Sequence, residues 1–124
     1  MKKHVLIVDD EVYFRYAAGN VLKENGYRIS EAVNGKDALK MILNAQGGRE
    51  TYDLLMTDIL MPGMSGMELI RELKNNDISM PVLVSTGLVE KRLFKGQLRK
   101  GGLDYIEKPF ETKEFVKKVD AILQ

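Results

Sequence analysis

The sequence predicts an α/β fold built on a parallel sheet. Two observations support this prediction: five short strand-like segments, three of them apolar runs, recur along the chain, and helical patterns lie between them. The first segment, Val5-Leu6-Ile7-Val8, is continuously apolar, as is typical of a strand covered on both faces. Because parallel strands are joined by right-handed crossovers, we expect helices to connect the strands and pack on the sheet.

The first half of the chain contains two strands and two helices. After the strand at residues 5–8, apolar residues recur at helical spacing from Phe14 to Leu22, and Asn25-Gly26 ends this helix. A weaker strand is predicted from Tyr27 to Ala32. Asn34-Gly35 then opens a second helix, whose apolar positions run from Ala38 to Leu43.

The second half contains three more strand–helix units. The predicted strands are residues 54–57, 81–85 and 104–107. Ser65 and Glu68 have capping-box spacing and start the third helix. The fourth helix is predicted over residues 89–100, although Gly96 should weaken it by about 1 kcal/mol relative to Ala. The apolar positions of the fifth helix are Phe115, Val119 and Ile122.

Composition narrows the function classes. The chain has 124 residues, which suggests one domain over residues 1–124 with no output domain. The formal net charge of +1 provides no overall basic field, so neither direct nucleic-acid binding nor membrane association is expected. The absence of Cys excludes disulfides and thiolate metal sites. The apolar run after Met1-Lys2-Lys3 is too short for a signal peptide, so we expect a soluble, cytoplasmic chain.

Polar side chains follow four of the predicted strands, and the carboxyl ends of parallel strands share one edge of a sheet, where ligands bind. These side chains are Asp9, Asp10, Glu11, Asp58, Ser85, Thr86 and Lys108. Crowded carboxylates repel one another, and a Mg²⁺ ion removes that conflict. A Lys ammonium and a hydroxyl suit phosphoryl oxygens. Asp58, at the end of an apolar run, is placed to carry a phosphoryl group covalently.

Each of these residues also has an ordinary interpretation when taken alone. The acids after the first strand would favour a helix N-terminus, and Asp58 would initiate a turn. Thr86 would be a loop residue, and Lys108 a solvated charge. His4, at the start of the first strand, is expected at the surface.

The motifs "VLIVDDE", "DLLMTDILMPGMSG", "MPVLVSTG" and "GGLDYIEKPF" together resemble the response-regulator receiver domain of two-component signalling, of the chemotaxis-regulator type. The resemblance covers the whole chain. It implies a flavodoxin-like, doubly wound sheet of five parallel strands in the order 2-1-3-4-5, with five helices.

The resemblance also implies roles for individual residues. Asp58 would accept a phosphoryl group from a sensor histidine kinase or a phosphotransfer protein, in a Mg²⁺-dependent reaction. Asp10 and Asp58 would bind Mg²⁺ directly, Asp9 through water, and Leu60 through its backbone carbonyl. Lys108 would pair with the phosphoryl group, and its bond to Pro109 would be cis.

A second set of implied roles concerns switching. Thr86 would move to the phosphoryl group and Tyr105 would swing inward, changing the face formed by helix 4, strand 5 and helix 5. That face would control a downstream protein or output domain, with a phosphorylation-dependent homodimer as another partner. The chain would be a signalling switch with self-catalysed phosphotransfer and slow autodephosphorylation, not a turnover enzyme.

Three further features depart from the family pattern or stand out within it. Gly87 and Gly102 replace the commoner Ala, which, with Gly96, predicts a loosely held fourth helix. Leu60 and Leu88 offer no group that orients a water, which predicts slow loss of the phosphoryl group. The fourth helix is also basic; its basic residues are Lys91, Arg92, Lys95, Arg99 and Lys100. They form either a solvated face or a docking surface for an acidic helix or a second copy.

Three alternatives remain open from the sequence. A small phosphatase with an Asp nucleophile would use the same carboxylate, but Leu60 stands where haloacid-dehalogenase-like phosphatases carry a second Asp. A flavodoxin-like cofactor binder would need a hydroxyl- and glycine-rich loop where this chain has three acids. An adaptor receiver would bind partners without being phosphorylated.

Overall fold

The computed structural model describes residues 2–124 as a five-stranded parallel sheet in the order β2-β1-β3-β4-β5, with helices on both faces, which confirms the predicted fold. The strands are β1 (His4–Val8), β2 (Arg28–Ala32), β3 (Leu54–Asp58), β4 (Val82–Thr86) and β5 (Asp104–Glu107). The helices are α1 (Val12–Glu24), α2 (Gly35–Ala45), α3 (Gly66–Asn75), α4 (Leu88–Lys100) and α5 (Thr112–Leu123).

Several element boundaries differ from the prediction by one residue. β3 continues to Asp58, which pairs in register with Ser85 of β4. β4 begins after Pro81, which has no backbone N–H to donate to the ladder. β2 begins after Tyr27, because the Tyr27 amide donates to the Leu22 carbonyl and closes the end of α1 instead.

The core lies on both faces of the sheet. β1 is buried along its whole length, as its continuous apolar sequence predicts. Val5 and Ile7 belong to the cluster packed under α1 and α5, in which Phe115 is the largest fully buried side chain. Leu6 and Val8 belong to the cluster packed under α2 and α3. Within residues 2–124, no helix has the length and apolar character needed to cross a membrane.

Helices α3 and α4 begin with different caps. The Ser65 hydroxyl accepts a hydrogen bond from the Glu68 amide at 3.1 Å, which confirms the predicted start of α3. At α4 the capping residue is Gly87, whose amide donates to the Glu90 carboxylate at 2.5 Å. The helix therefore starts at Leu88, one residue earlier than predicted.

The prediction that His4 lies at the surface is wrong. Its ring is buried, with Nε2 at 2.7 Å from Ser30 Oγ and Nδ1 at 3.2 Å from the Thr51 carbonyl. The His4 amide donates to the Asp53 carboxylate at 2.8 Å. The polar loop before β3 thus folds against the start of β1, and burial lowers the pKa of His4. This contact lies at the sheet edge opposite the carboxyl ends of the strands.

Candidate functional site

Three carboxylates meet at the carboxyl ends of β1 and β3. These two strands pair in register at Val8 and Thr57, so Asp9 and Asp58 follow at neighbouring positions. Oxygen atoms of Asp9, Asp10 and Asp58 lie within 4.8 Å of one another. Asp9 and Asp58 are buried, whereas Asp10 is exposed. We call these three residues the acidic cluster; the sequence predicted all of its members.

Lys108 reaches the acidic cluster from the end of β5. Its Nζ lies 2.8 Å from Asp9 Oδ2 and 3.4 Å from Asp58 Oδ2. The same Nζ lies 4.0 Å from the centre of the Phe14 ring, within the range of a cation–π interaction. The Lys108 amide donates to the Thr86 carbonyl, and the Lys108-Pro109 bond is cis, as the family resemblance implied. Lys108 is therefore an integral part of the site.

Burial and charge oppose each other at the site. The pKa of Asp58 is raised to about 6, mainly by burial. The Lys108 charge opposes this increase, and the neighbouring Asp9 charge adds to it. The Ile59 amide donates to Asp58 Oδ1 at 2.8 Å and also favours the charged form. Burial by itself would lower the pKa of Lys108, but its hydrogen bonds and charge contacts with Asp9 and Asp58 outweigh this, and the pKa is raised.

Asp9 is held at all of its polar atoms. Its Oδ1 accepts from the Glu11 amide at 2.9 Å, and its Oδ2 accepts from Lys108. Its amide donates to the Ala32 carbonyl at 3.3 Å, and its own carbonyl accepts from Arg15 Nη1 at 2.5 Å. Arg15 was not among the site residues predicted from the sequence. The available signal was a cation at helical spacing with the buried residues Ala18 and Leu22.

The loop after β3 passes close to the backbone of Asp58. The Gly66 amide donates to the Ile59 carbonyl at 2.8 Å, and a Cβ at position 66 would lie 2.0 Å from the Asp58 carbonyl oxygen. Only glycine fits that approach. Gly63, with φ of 80°, provides the left-handed turn of the loop. Leu60 begins the loop, two residues beyond Asp58, with its side chain half exposed.

The two predicted switch residues have different environments. Thr86 is fully buried at the end of β4, and its hydroxyl donates to the Gly87 carbonyl at 3.2 Å. Tyr105 pairs in register with Val84, and its ring centre lies 5.2 Å from Lys91 Nζ and 6.0 Å from Lys118 Nζ. Tyr105 therefore lies partly exposed against two cations on the outer side of β5, away from the acidic cluster.

Ser85 is a further polar residue beside the site. It pairs with Asp58 across β3 and β4, so the two side chains share one face of the sheet. Its hydroxyl is buried and has no hydrogen-bond partner within residues 2–124. The sequence placed Ser85 at this edge but gave no sign of its missing partner, because that depends on packing between distant segments.

The acidic cluster suits a hard divalent cation. All of its donor atoms are carboxylate oxygens, which Mg²⁺ prefers. Three carboxylates face one ammonium group, so negative charge is in excess. Asp10 is exposed and opens the cluster to solvent, which leaves room for the waters that Mg²⁺ retains.

Comparison with known families identifies a family with the same fold. The family model of the response regulator receiver domain matches residues 5–120. The chain belongs to the response-regulator receiver family. Receiver domains bind Mg²⁺ at an acidic pocket, and this chain has a cluster of three aspartates at the carboxyl ends of its strands.

Two of the curated proteins similar to this chain have names that describe different activities. It is 34% identical over 120 residues to the transcriptional regulatory protein ResD of Bacillus subtilis, covering 97% of this chain and 48% of ResD. It is 29% identical over 126 residues to the 3',5'-cyclic-nucleotide phosphodiesterase regA of Dictyostelium discoideum, covering 99% of this chain and 16% of regA. The receiver thus spans about half of ResD and a smaller part of regA.

Solved structures share the whole receiver fold. The chemotaxis protein CheY4 of Vibrio cholerae superposes with a TM-score of 0.82 at 25% identity, covering 99% of this chain and 100% of that one. NtrX of Brucella abortus superposes with a TM-score of 0.85 at 27% identity, covering 99% of this chain and 27% of that one. The same fold therefore makes up the whole of one solved chain and about a quarter of a longer one.

Proposed function

We propose that this receiver is a phosphorylation-driven switch that accepts a phosphoryl group on Asp58 in a Mg²⁺-dependent reaction. The observation that carries the proposal is the acidic cluster, with its oxygens within 4.8 Å, bridged by Lys108 between Asp9 and Asp58. Excess carboxylate charge at an open strand edge is suited to a divalent cation and a phosphoryl group together.

Asp58 is the proposed nucleophile. One of its carboxylate oxygens would form a bond to phosphorus while the bond from phosphorus to the donor, a phosphohistidine nitrogen or an acyl oxygen, breaks and the donor atom keeps the electron pair. Its pKa of about 6 leaves Asp58 mostly ionised at neutral pH, as attack requires. Lys108 would hold a phosphoryl oxygen as a fixed cation.

Four groups would hold the metal ion. We propose Asp10 and Asp58 as direct ligands, Asp9 as a ligand through water, and the Leu60 backbone carbonyl as the remaining protein ligand. Bound Mg²⁺ would neutralise charge on the phosphoryl oxygens. The contacts of Asp9 with Glu11 and Lys108 keep its carboxylate oriented toward this position.

The switch would run from the site to the outer side of β5. The Thr86 hydroxyl, now donating to the Gly87 carbonyl, would turn to a phosphoryl oxygen, and Tyr105 would leave its contacts with Lys91 and Lys118. The surface of α4, β5 and α5 would then change shape. Moving such an equilibrium from 1:99 to 99:1 takes about 5.5 kcal/mol, which charge-assisted hydrogen bonds to phosphate help to supply.

The proposed partners follow from this cycle. A sensor histidine kinase or a phosphotransfer protein would supply the phosphoryl group, and the face of α4, β5 and α5 would engage a downstream protein, an output domain or a second copy. We propose that residues 1–124 form one receiver domain. The donor and the receiver must share a compartment, which we propose is the cytoplasm.

Intact mass spectrometry tests the proposal. Wild type and Asp58→Asn are incubated with acetyl phosphate, with Mg²⁺ or with EDTA. We expect the wild type to gain the mass of one phosphoryl group only with Mg²⁺, and Asp58→Asn to gain none. No gain in either protein would contradict the proposal and favour the phosphorylation-independent adaptor. Sustained hydrolysis of a phosphate ester would favour the phosphatase.

A further inference from the structure

Arg15 is a buried cation beside the acidic cluster. Its guanidinium lies on α1 with 8% of the residue exposed. Nη1 donates to the Asp9 backbone carbonyl at 2.5 Å, and Nε donates to Glu31 Oε1 of β2 at 3.0 Å. One side chain thus joins α1, β2 and the end of β1. Burying a guanidinium costs desolvation free energy, which its contacts with Asp9 and Glu31 must offset.

The contact with the Asp9 carbonyl fixes the peptide group that joins Asp9 to Asp10. Because a peptide group is planar, its orientation determines the direction in which the next residue leaves the strand. Within residues 2–124, no hydrogen bond or ion pair to the Asp10 carboxylate is found. The direction of the Asp10 side chain is therefore set by its backbone, and Arg15 fixes that backbone through its hydrogen bond to the Asp9 carbonyl.

We propose that Arg15 is a positioning residue for the divalent cation. By holding the Asp9 carbonyl, it fixes the turn that presents Asp10 to the acidic cluster, and so strengthens cation binding without touching the ion. This inference rests on the proposed Mg²⁺ site. Glu31 holds the other side of the guanidinium fork, which keeps Nη1 aimed at the carbonyl.

Electrostatics alone predicts the opposite effect of removing Arg15. A cationic side chain close to the cluster repels a divalent cation, so removing its charge should tighten binding. A positioning role predicts weaker binding, since the Asp9–Asp10 peptide would then be free to rotate. The sign of the change in cation affinity therefore separates the two explanations.

The experiment measures the binding of Mn²⁺, used as a probe ion, from the electron paramagnetic resonance signal of the free ion. Arg15→Met is expected to bind Mn²⁺ about tenfold more weakly than wild type, as is typical when a group that orients a ligand is lost. The matched control is Arg28→Met, which removes the same charge from an exposed pair with Glu50 at the opposite sheet edge. Arg28→Met should bind as wild type does.

Arg15→Lys keeps the charge and much of the stem, so it guards against a simple folding defect in Arg15→Met. A lysine cannot bridge two acceptors as the guanidinium fork does, and we expect about threefold weaker Mn²⁺ binding. With acetyl phosphate, the Mg²⁺ concentration for half-maximal phosphorylation should rise about tenfold in Arg15→Met, with the maximal rate within about twofold of wild type.

Two results would overturn the inference and are distinguishable from each other. If wild type binds Mn²⁺ and folded Arg15→Met and Arg15→Lys bind it as tightly or more tightly, only the positioning role fails. If wild type neither binds Mn²⁺ nor accepts a phosphoryl group, the metal site of the proposed function fails, and the role of Arg15 fails with it.

Discussion

Lys108 and Asp9, 99 residues apart in the chain, form an ion pair of 2.8 Å, shorter than the 3.4 Å between Lys108 and Asp58. The lysine is thus held mainly by the neighbour of the proposed phosphoacceptor. This leaves Asp58 less tightly paired, while the cation stays within reach of a group attached to it. The pair also ties the end of β5 to the end of β1 across the sheet.

Replacing Lys108 by Met should slow phosphorylation without weakening cation binding. The variant loses the fixed cation that would stabilise the phosphoryl oxygens, and we expect phosphorylation by acetyl phosphate to fall about 100-fold. Mn²⁺ affinity should stay equal or rise, because a competing positive charge is gone. Mass spectrometry over time and Mn²⁺ titration measure the two effects. The control is Lys117→Met, an exposed lysine on α5; an unchanged rate in Lys108→Met would count against the assignment.

Asp58→Asn should stabilise the protein at pH 7.5 in the absence of divalent cations. The pKa of Asp58 rises from 3.8 to about 6 on folding, so the folded state holds the proton more tightly. Its contribution to the free energy of unfolding is therefore fully present below about pH 3.8 and is lost as the pH rises through about 6. Asparagine cannot ionise, so the Asp58→Asn variant avoids this loss of stability. It should be more stable than wild type at pH 7.5 by about 1 kcal/mol.

Urea unfolding in EDTA at pH 4 to 8 measures this effect. The advantage of Asp58→Asn should shrink below pH 6 and be gone near pH 4. Asp104→Asn, an exposed carboxylate at the start of β5, provides the control and should follow wild type. A wild type at least as stable as Asp58→Asn at pH 7.5 would show that Lys108 compensates the buried charge fully.

Gly66→Ala should destabilise the fold and disturb the site together. The added Cβ would meet the Asp58 carbonyl at 2.0 Å, so either the loop after β3 or the end of β3 must shift. We expect a loss of about 2 to 4 kcal/mol in the free energy of unfolding. Chemical denaturation gives this value, and Mn²⁺ titration reports whether the carboxylates have moved. A change below about 0.5 kcal/mol would mean that the loop yields freely.

Gly96→Ala should stabilise the protein, in contrast to Gly66→Ala. A Cβ at position 96 meets nothing within 4 Å, so the helix gains propensity at no steric cost, and stability should rise by up to about 1 kcal/mol. Leu98 is the one buried residue of α4, and the predicted loose hold on this helix is tested by hydrogen exchange. Amide hydrogen exchange should be faster in α4 than in α1 and should slow in Gly96→Ala. Strong protection of wild-type α4 would refute the loose hold.

The phosphorylated protein should lose its phosphoryl group over minutes rather than seconds. Leu60 and Leu88, both about half exposed, offer no polar group to orient the attacking water. Leu60→Asn should shorten the half-life about threefold, because its amide can hold a water near Asp58. Leu93→Asn, which changes an exposed leucine on the outer side of α4, should leave it unchanged. A wild-type half-life of seconds would contradict the prediction.

Three of the strands were predictable because each is a short apolar run between clear stop signals, whereas β2 and β5 have mixed sequences and give a weaker signal. Some boundaries differ because of contacts with other segments: β3 gains Asp58, which pairs with Ser85, and β2 loses Tyr27, whose amide closes the end of α1. Such contacts are not contained in a local sequence pattern. The start of β4 after Pro81 follows from the sequence itself, because proline has no N–H to donate.

The residues of the acidic cluster, together with Lys108, were predictable because the ends of parallel strands share one edge. Arg15 and His4 were not, and for the same reason. The partners of Arg15 are a backbone carbonyl and a glutamate of another strand, while those of His4 lie on β2 and on the loop before β3. The distant partners of these side chains leave no pattern in the sequence, so the usual rule assigns such charged and polar residues to the surface.

The separation between Asp9 and Lys108 also has a consequence during protein synthesis. Ribosomes add about 5 to 20 residues each second, so the separation of 99 residues corresponds to about 5 to 20 seconds of synthesis. Throughout that interval the growing chain contains Asp9 but not yet Lys108, which pairs with it. We expect nascent chains to accept phosphoryl groups much more slowly than finished chains, so that a new copy becomes fully reactive only after β5 has docked.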